Sequence, residues 1–175
     1  LILWLIYLFF TALETTLLMF GGMNLYDALT HTFGTLATGG FSPRNASIAA
    51  FDSAYIQWVI TVFMLMSGIN FVLHYRLLTL QFRPLIRNSE LKAYFTIFAV
   101  STFLVTLSIH GEVYTSVFES VRYGAFQVAS LMTTTGYVTA DYELWPHFAR
   151  AMLFAMFFVG GSVGSTGGGI KVMRS

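Results

Sequence analysis

The sequence predicts an all-α integral membrane fold made of two similar units, and three observations support this prediction. The composition is strongly apolar, several runs have the length of a membrane span, and one short pattern containing Thr and Gly occurs twice. Of the 175 residues, 56% are hydrophobic and 10% are charged, and the mean hydropathy is +0.70. Because soluble domains usually carry about 25% charged residues, this composition excludes an ordinary soluble domain.

Four apolar runs predict helices that cross the membrane. A helix rises about 1.5 Å per residue, so about 20 residues cover a hydrocarbon core of roughly 30 Å. The third run is marginal in length, and glycines interrupt the fourth. The runs extend from Leu1 to about Phe20, from Ala54 to about Tyr75, from Ala93 to about Ile109, and from near Pro146 through Ala151–Val159.

Two shorter segments, at about Leu25–Leu36 and Ser116–Met132, have helical stretches that are too short or too polar to cross the membrane. Each leads into a Thr/Gly pattern, which we call the first motif (Ala37–Phe41) and the second motif (Thr133–Tyr137). A short helix followed by such a strand between two spans is typical of a re-entrant pore loop. The pattern therefore predicts units of membrane helix, pore helix, filter loop and membrane helix, and it favours ion permeation.

The residue types in the two motifs suit a cation. Irregular backbone inside a membrane is tolerated where it is buried in protein or lines water. Glycines allow positive φ, so successive carbonyl groups can turn the same way, and rings of such oxygens can replace the hydration shell of an alkali ion. The C-terminal ends of the short helices would add partial negative charge beside the ion. The predicted ion-binding residues are Thr38, Gly39, Gly40, Thr134, Thr135 and Gly136.

Charge placement predicts the orientation. The connector from His74 to Lys92 carries four basic residues and one acidic residue, so the positive-inside rule places it in the cytoplasm. Both short segments would then enter from the outer side. The net charge of +1 gives no reason to expect nucleic acid as a partner.

A Gly-rich loop, Gly160–Gly169, interrupts the fourth apolar run. Its six glycines cost about 1 kcal/mol each in a helix, which makes a continuous helix improbable. We expect a break inside the membrane beneath the motifs, where a loop of small residues acts as a gate; the alternative is a linker at the membrane edge. The predicted gating residues are Gly160, Gly161, Gly164, Ser165, Thr166, Gly167, Gly168 and Gly169.

These motifs resemble the Trk/Ktr/HKT superfamily of potassium and sodium transporters, and most of all its Trk-type potassium-uptake membrane subunit. The resemblance covers essentially the whole chain. It implies that filter carbonyls in the two motifs bind potassium and that the Gly-rich loop gates the pathway. The motifs that carry the resemblance are Ala37–Ser42, Gly68–Phe71, Thr133–Tyr137 with Thr139–Asp141, and Gly160–Arg174.

The family has four repeats around one pathway, and this chain resembles the second repeat (1–83) and most of the third (84–175). We expect an internal fragment with two of four units, the last one truncated, that does not conduct alone. The resemblance also implies a multi-pass protein of the plasma membrane, in bacteria the inner membrane. It further implies a homodimer and a cytosolic nucleotide-binding regulatory subunit as partners, besides the missing repeats and the lipid bilayer.

Two alternatives stay open from the residues: a sodium-permeable member of the same superfamily, and a non-conducting membrane scaffold whose glycines only pack helices. No catalytic arrangement stands out, so we expect neither an enzyme nor a cofactor, with K⁺ as the transported ion. Glu14 lies within the first span, where an acidic residue is costly and often functional. Neighbouring threonines make that stretch polar, and we expect a structural role for Glu14, facing other helices or water.

Overall fold

The computed structural model describes residues 2–81, 88–162 and 164–168. Within these residues the long regular elements are helices, and the chain makes no strand, which confirms the predicted all-α class. Short 3₁₀ turns lie at Ser47–Ala50 and Tyr142–Leu144. The helices are α1 (Ile2–Phe20), α2 (Leu25–Leu36), α3 (Ala54–Ser67), α4 (Phe71–Leu78), α5 (Ser89–Ile109), α6 (Val117–Met132) and α7 (His147–Met156).

Helices α1 and α5 are each long and apolar enough to cross a membrane by themselves. The first matches its predicted run. The second begins at Ser89 instead of near Ala93, because the Asn88 side chain accepts a hydrogen bond from the backbone N–H of Leu91 and caps an earlier first turn. The marginal third run thus becomes a helix of 21 residues.

The two predicted short helices are present as α2 and α6. Asn24 caps α2 by accepting a hydrogen bond from the N–H of Asp27, which lies in the first turn of that helix. Glu119 takes the equivalent place in the first turn of α6. Acidic residues there complement the positive end of the helix dipole.

The predicted span from Ala54 to about Tyr75 is not one continuous helix. Helix α3 ends at Ser67, and α4 follows after a bend of 107°; only together are the two helices long and apolar enough for a span. Gly68 takes the C-cap position, where the packed hydroxyl of Tyr94 leaves no room for a side chain. Asn70 then caps α4 through the N–H of Val72. This stop signal and start signal, two residues apart, break the run into two helices.

The predicted continuation of the fourth run to Val159 is also wrong. Helix α7 ends at Met156, before the first glycine of the Gly-rich loop. The N–H groups of Phe157, Phe158 and Val159 each bond to the carbonyl three residues earlier, at 3.2 Å, so the last turn tightens and unwinds the helix.

Helix α3 packs against both short helices. It contacts α1, α2 and α6, and α5 and α7 also contact α6. One apolar cluster joins Leu18, Ala28, Ile56 and Phe126, which lie on α1, α2, α3 and α6. The cluster thereby holds the two short helices in one packed group, and a motif follows each of them.

Candidate ion pathway

The first motif leaves the end of α2 in a tight turn. The N–H groups of Gly39 and Gly40 both donate to the carbonyl of Gly34, at 2.8 and 3.2 Å. The N–H of Thr38 donates to the carbonyl of Thr35 at 3.1 Å. Thr38 and Gly40 have φ angles of +52° and +63°. Two left-handed residues therefore alternate with Gly39, whose φ lies outside the left-handed region.

The second motif repeats this turn at the end of α6. The N–H groups of Thr135 and Gly136 donate to the carbonyl of Ser130 at 2.9 and 3.1 Å. The N–H of Thr134 donates to the carbonyl of Leu131 at 3.0 Å. Thr134 and Gly136 have φ angles of +59° and +86°. Donors, acceptors and left-handed positions thus coincide with those of the first motif.

When left-handed residues alternate with residues in other conformations, successive peptide groups turn so that their polar atoms line one side of the motif. A β-branched residue with positive φ is a genuine outlier, and such strain collects at functional sites. Sequence reasoning assigned this role to glycines alone. In the structure Thr38 and Thr134 also have positive φ, which their residue type did not predict.

The two motifs lie against each other. Gly40 faces the backbone carbonyl of Thr135 so closely that a Cβ atom would collide with it. The buried hydroxyl of Tyr137 donates to the carbonyls of His31 and Phe41, at 3.0 and 3.2 Å. Tyr137 and Phe41 hold equivalent places in the two motifs, 96 positions apart. The residue types of the two motifs did not predict this hydrogen bond.

The Gly-rich loop packs into the bend between α3 and α4. The N–H of Ser162 donates to the carbonyl of Gly68 at 2.9 Å, and the hydroxyl of Thr166 donates to that of Ser67 at 3.1 Å. The N–H of Phe71 donates in return to the carbonyl of Gly164 at 3.4 Å. The break between α3 and α4 therefore leaves backbone groups free to form hydrogen bonds with the loop. Gly68 and Asn70 could have predicted this break from the sequence.

The same loop contacts both motifs. The hydroxyl of Thr38 donates to the carbonyl of Thr166 at 3.0 Å, and the N–H of Gly168 donates to the hydroxyl of Thr134 at 2.8 Å. Gly167 packs beside the carbonyl of Thr133. All six predicted ion-binding residues and the described members of the Gly-rich loop are thus brought together. Gly169 and the basic residues after it lie outside the described residues.

At the other end of α2, a polar network fixes the start of the helix. Arg44 pairs with the buried carboxylate of Asp27, which also accepts from the amide of Asn24 at 2.9 Å. The bond from Arg44 holds the pKa of Asp27 below its usual value. His31 joins the carbonyl of Asp27 to the hydroxyl of Ser42, at 2.7 and 2.9 Å. The network ties α2 to the chain that follows the first motif.

Among the described residues there is no cluster of three or more His, Asp or Glu side chains that could hold a metal ion. What the two motifs offer is backbone carbonyl and hydroxyl oxygen. Such ligands suit a weakly bound alkali cation.

A family model described as TrkH, a cation transport protein, matches residues 1–175. The Trk system potassium uptake protein TrkH of Escherichia coli K12 is 40% identical over 177 residues, which cover 98% of this chain and 36% of the relative. The TrkI protein of Halomonas elongata, also named a Trk system potassium uptake protein, is 35% identical over 170 residues, or 97% and 34% of the two chains.

A crystal structure of the potassium transporter TrkH from Vibrio parahaemolyticus matches with a TM-score of 0.93 at 35% identity, covering 98% of this chain and 38% of that one. The chain thus spans about a third of the length of these relatives. It is a multi-pass protein of the bacterial inner membrane. The family model and these relatives together show that the chain belongs to the TrkH family of cation transport proteins.

Proposed function

We propose that this chain supplies two of the four sides of a potassium-conducting pathway. The single observation that carries the proposal is the repeated geometry of the two motifs, with left-handed residues at Thr38 and Gly40 and again at Thr134 and Gly136. The names of the relatives, which describe potassium uptake, support potassium as the transported ion.

In this proposal the carbonyl oxygens of the two motifs form half of a selectivity filter. Thr38, Gly39 and Gly40 contribute on one side, and Thr134, Thr135 and Gly136 contribute on the other. Oxygen ligands replace the hydration shell of K⁺, and the C-terminal ends of α2 and α6 add partial negative charge. The remaining sides come from the missing repeats of the same subunit.

The Gly-rich loop, Gly160–Gly169, is the proposed gate. It contacts the threonine that begins the left-handed stretch of each motif, and several hydrogen bonds hold it to the bend between α3 and α4. Each such bond is worth about 0.5–1.5 kcal/mol. Because the loop is joined to the bend by separate hydrogen bonds and is not part of a helix, it can close the path and leave it without unfolding the helices.

The units 1–83 and 84–175 would each be one membrane helix–pore helix–filter loop–membrane helix repeat. A homodimer and a cytosolic nucleotide-binding regulatory subunit complete the proposed assembly, and these partners follow from the family resemblance. The relatives are named as transporters, which points away from an enzyme.

The test is ⁸⁶Rb⁺ uptake into liposomes that contain the full-length parent subunit, with K⁺ and Na⁺ as competitors. The variant is Gly136→Ser, and Gly111→Ser is its matched control. Both glycines have positive φ, +86° and +85°, with open space where a Cβ would go, so serine strains both backbones alike. Only Gly136 lies in a motif.

We expect K⁺-sensitive uptake in the wild type and in Gly111→Ser. Gly136→Ser should abolish this uptake or make it sensitive to Na⁺. Wild-type uptake that Na⁺ inhibits as well as K⁺ does would favour a sodium-permeable transporter. Uptake that is absent in the wild type, or equal in the two variants, would favour the scaffold or a different path.

A further inference from the structure

Glu14 is a carboxyl group buried in the middle of α1. Its exposed fraction is 0%, and neither carboxylate oxygen accepts a geometrically defined hydrogen bond from the described residues. An isolated buried carboxylate costs several kcal/mol unless an opposite charge or hydrogen bonds compensate it. The structural role expected from the sequence does not explain why a carboxyl group occupies this place.

The surroundings of Glu14 lead to both motifs. The hydroxyl of Thr35 lies near the carboxyl group and donates its hydrogen bond to the carbonyl of His31, at 2.7 Å. The carbonyl of Thr35 accepts the N–H of Thr38, the first left-handed residue of the first motif. Tyr137, which directly follows Gly136, lies within electrostatic range of Glu14.

The charged and titratable groups on neighbouring elements have other partners. Asp27 on α2 pairs with Arg44, and His31 bonds to Asp27 and Ser42. His74 on α4 bonds to the carbonyl of Met66. The one ion pair among the described residues joins Arg44 to Asp27, so no described Lys or Arg neutralises Glu14.

We propose that the ion in the filter is the countercharge of Glu14, which acts as a positioning and affinity-determining residue behind both motifs. This inference rests on the proposed function. The carboxylate does not touch the ion; its negative charge favours a cation at the carbonyls that Thr35 and Tyr137 support. Cation occupancy stabilises the ionised carboxyl group in turn, because coupling between two sites is reciprocal.

Coulomb's law sets the size of the effect. A unit charge roughly 10 Å from a cation, at an effective dielectric constant of about 20, changes an equilibrium constant on the order of tenfold. Removal of the charge should therefore raise the K⁺ concentration for half-maximal uptake by about that factor. The maximum rate should stay near the wild-type value, since the gate is untouched.

The test uses the full-length subunit with Glu14→Gln, which keeps shape and removes charge, and Glu14→Asp, which keeps charge. Glu112→Gln, an exposed carboxyl group in the loop after α5, is the matched control. The K⁺ dependence of ⁸⁶Rb⁺ uptake and of the thermal unfolding midpoint is measured for each. Ligand that binds only the folded state raises that midpoint.

We expect Glu14→Gln to raise the half-saturating K⁺ concentration about tenfold and to lose most of the K⁺-dependent thermal stabilisation. Glu14→Asp should remain closer to the wild type, and Glu112→Gln should match it. A folded Glu14→Gln with wild-type half-saturation overturns the inference, as does Glu14→Asp behaving like Glu14→Gln.

If Glu14→Gln does not fold, Glu14→Asp decides the matter, because a folded aspartate variant without K⁺-dependent stabilisation contradicts the proposal. Failure of the proposed function gives a different result. In that case the wild type itself shows no K⁺-sensitive uptake, whatever the variants do.

Discussion

The hydroxyl of Thr38 donates a hydrogen bond to the carbonyl of Thr166 across 3.0 Å, although 128 positions separate the two residues. This bond joins the first motif to the Gly-rich loop. Its counterpart, from the N–H of Gly168 to the hydroxyl of Thr134, joins the loop to the second motif. A movement of the Gly-rich loop would therefore change a hydrogen bond at each of the two motifs.

Replacement of Thr166 by Val should loosen the Gly-rich loop. The change removes the hydroxyl that donates to the carbonyl of Ser67 at 3.1 Å, a bond worth about 0.5–1.5 kcal/mol. If the loop is the gate, the rate of ⁸⁶Rb⁺ uptake should rise about two- to tenfold, with little change in half-saturating K⁺. Thr16→Val, which removes an exposed hydroxyl on α1, is the control. An unchanged or lower rate in the folded variant would contradict the gating role.

Replacement of Gly40 by Ala should destabilise the contact between the motifs. Gly40 has positive φ, and a Cβ there collides with the carbonyl of Thr135. Gly22→Ala is a matched control, because Gly22 also has positive φ but faces open space. The control should lose about 1 kcal/mol of unfolding free energy, and Gly40→Ala should lose at least about 1–3 kcal/mol more. Denaturant unfolding of the detergent-purified subunit measures both, and equal losses would show that the motifs do not touch.

Replacement of Tyr137 by Phe should weaken the link between the second motif and the segment formed by α2 and the first motif. The lost hydroxyl donates to the carbonyls of His31 and Phe41, and a hydrogen bond of this kind is worth about 0.5–1.5 kcal/mol. Tyr26→Phe, on the exposed side of α2, should cost little. We expect a lower thermal midpoint and weaker protection by K⁺ in Tyr137→Phe. A midpoint equal to that of Tyr26→Phe would show that the hydroxyl contributes nothing.

The ion pair between Asp27 and Arg44 should make stability depend on pH in the acid range. Arg44 lowers the pKa of Asp27 in the folded state, so the stabilisation is fully present above the unfolded pKa of about 3.9 and is lost as pH falls through the folded pKa. Asp27→Asn should be less stable than the wild type at neutral pH, with a difference that shrinks on acidification. Asp52→Asn, which changes an exposed carboxyl group in the connection between the first motif and α3, is the control. Thermal midpoints from pH 3 to 7 decide the matter, and a difference independent of pH would exclude the pair as its cause.

The regular parts of the fold follow from local sequence signals. The short segment predicted at about Leu25–Leu36 matches α2. Local signals explain its bounds, because Asn24 caps the start of the helix and the Thr/Gly motif ends it. Helix α1 was equally clear from its apolar length. Hydropathy could not reveal the break at Gly68–Asn70, since the residues on both sides remain apolar and the bend depends on Tyr94 and the Gly-rich loop packing there.

The sequence predicted which residues form the candidate site, but it did not predict their backbone conformation. Repeated Thr and Gly residues identified both motifs and predicted the same role for them. Positive φ at Thr38 and Thr134 could not be read from the sequence, because threonine resists that conformation and only the surrounding packing imposes it. Contacts of the Gly-rich loop with both motifs likewise depend on tertiary structure.

The bend of 107° gives α4 a mechanical role. If α3 crosses the bilayer, α4 runs nearly in the membrane plane, and its first N–H group is bonded to Gly164 of the Gly-rich loop. Because this bond joins the first residue of α4 to the loop, α4 and the Gly-rich loop cannot move apart without breaking it.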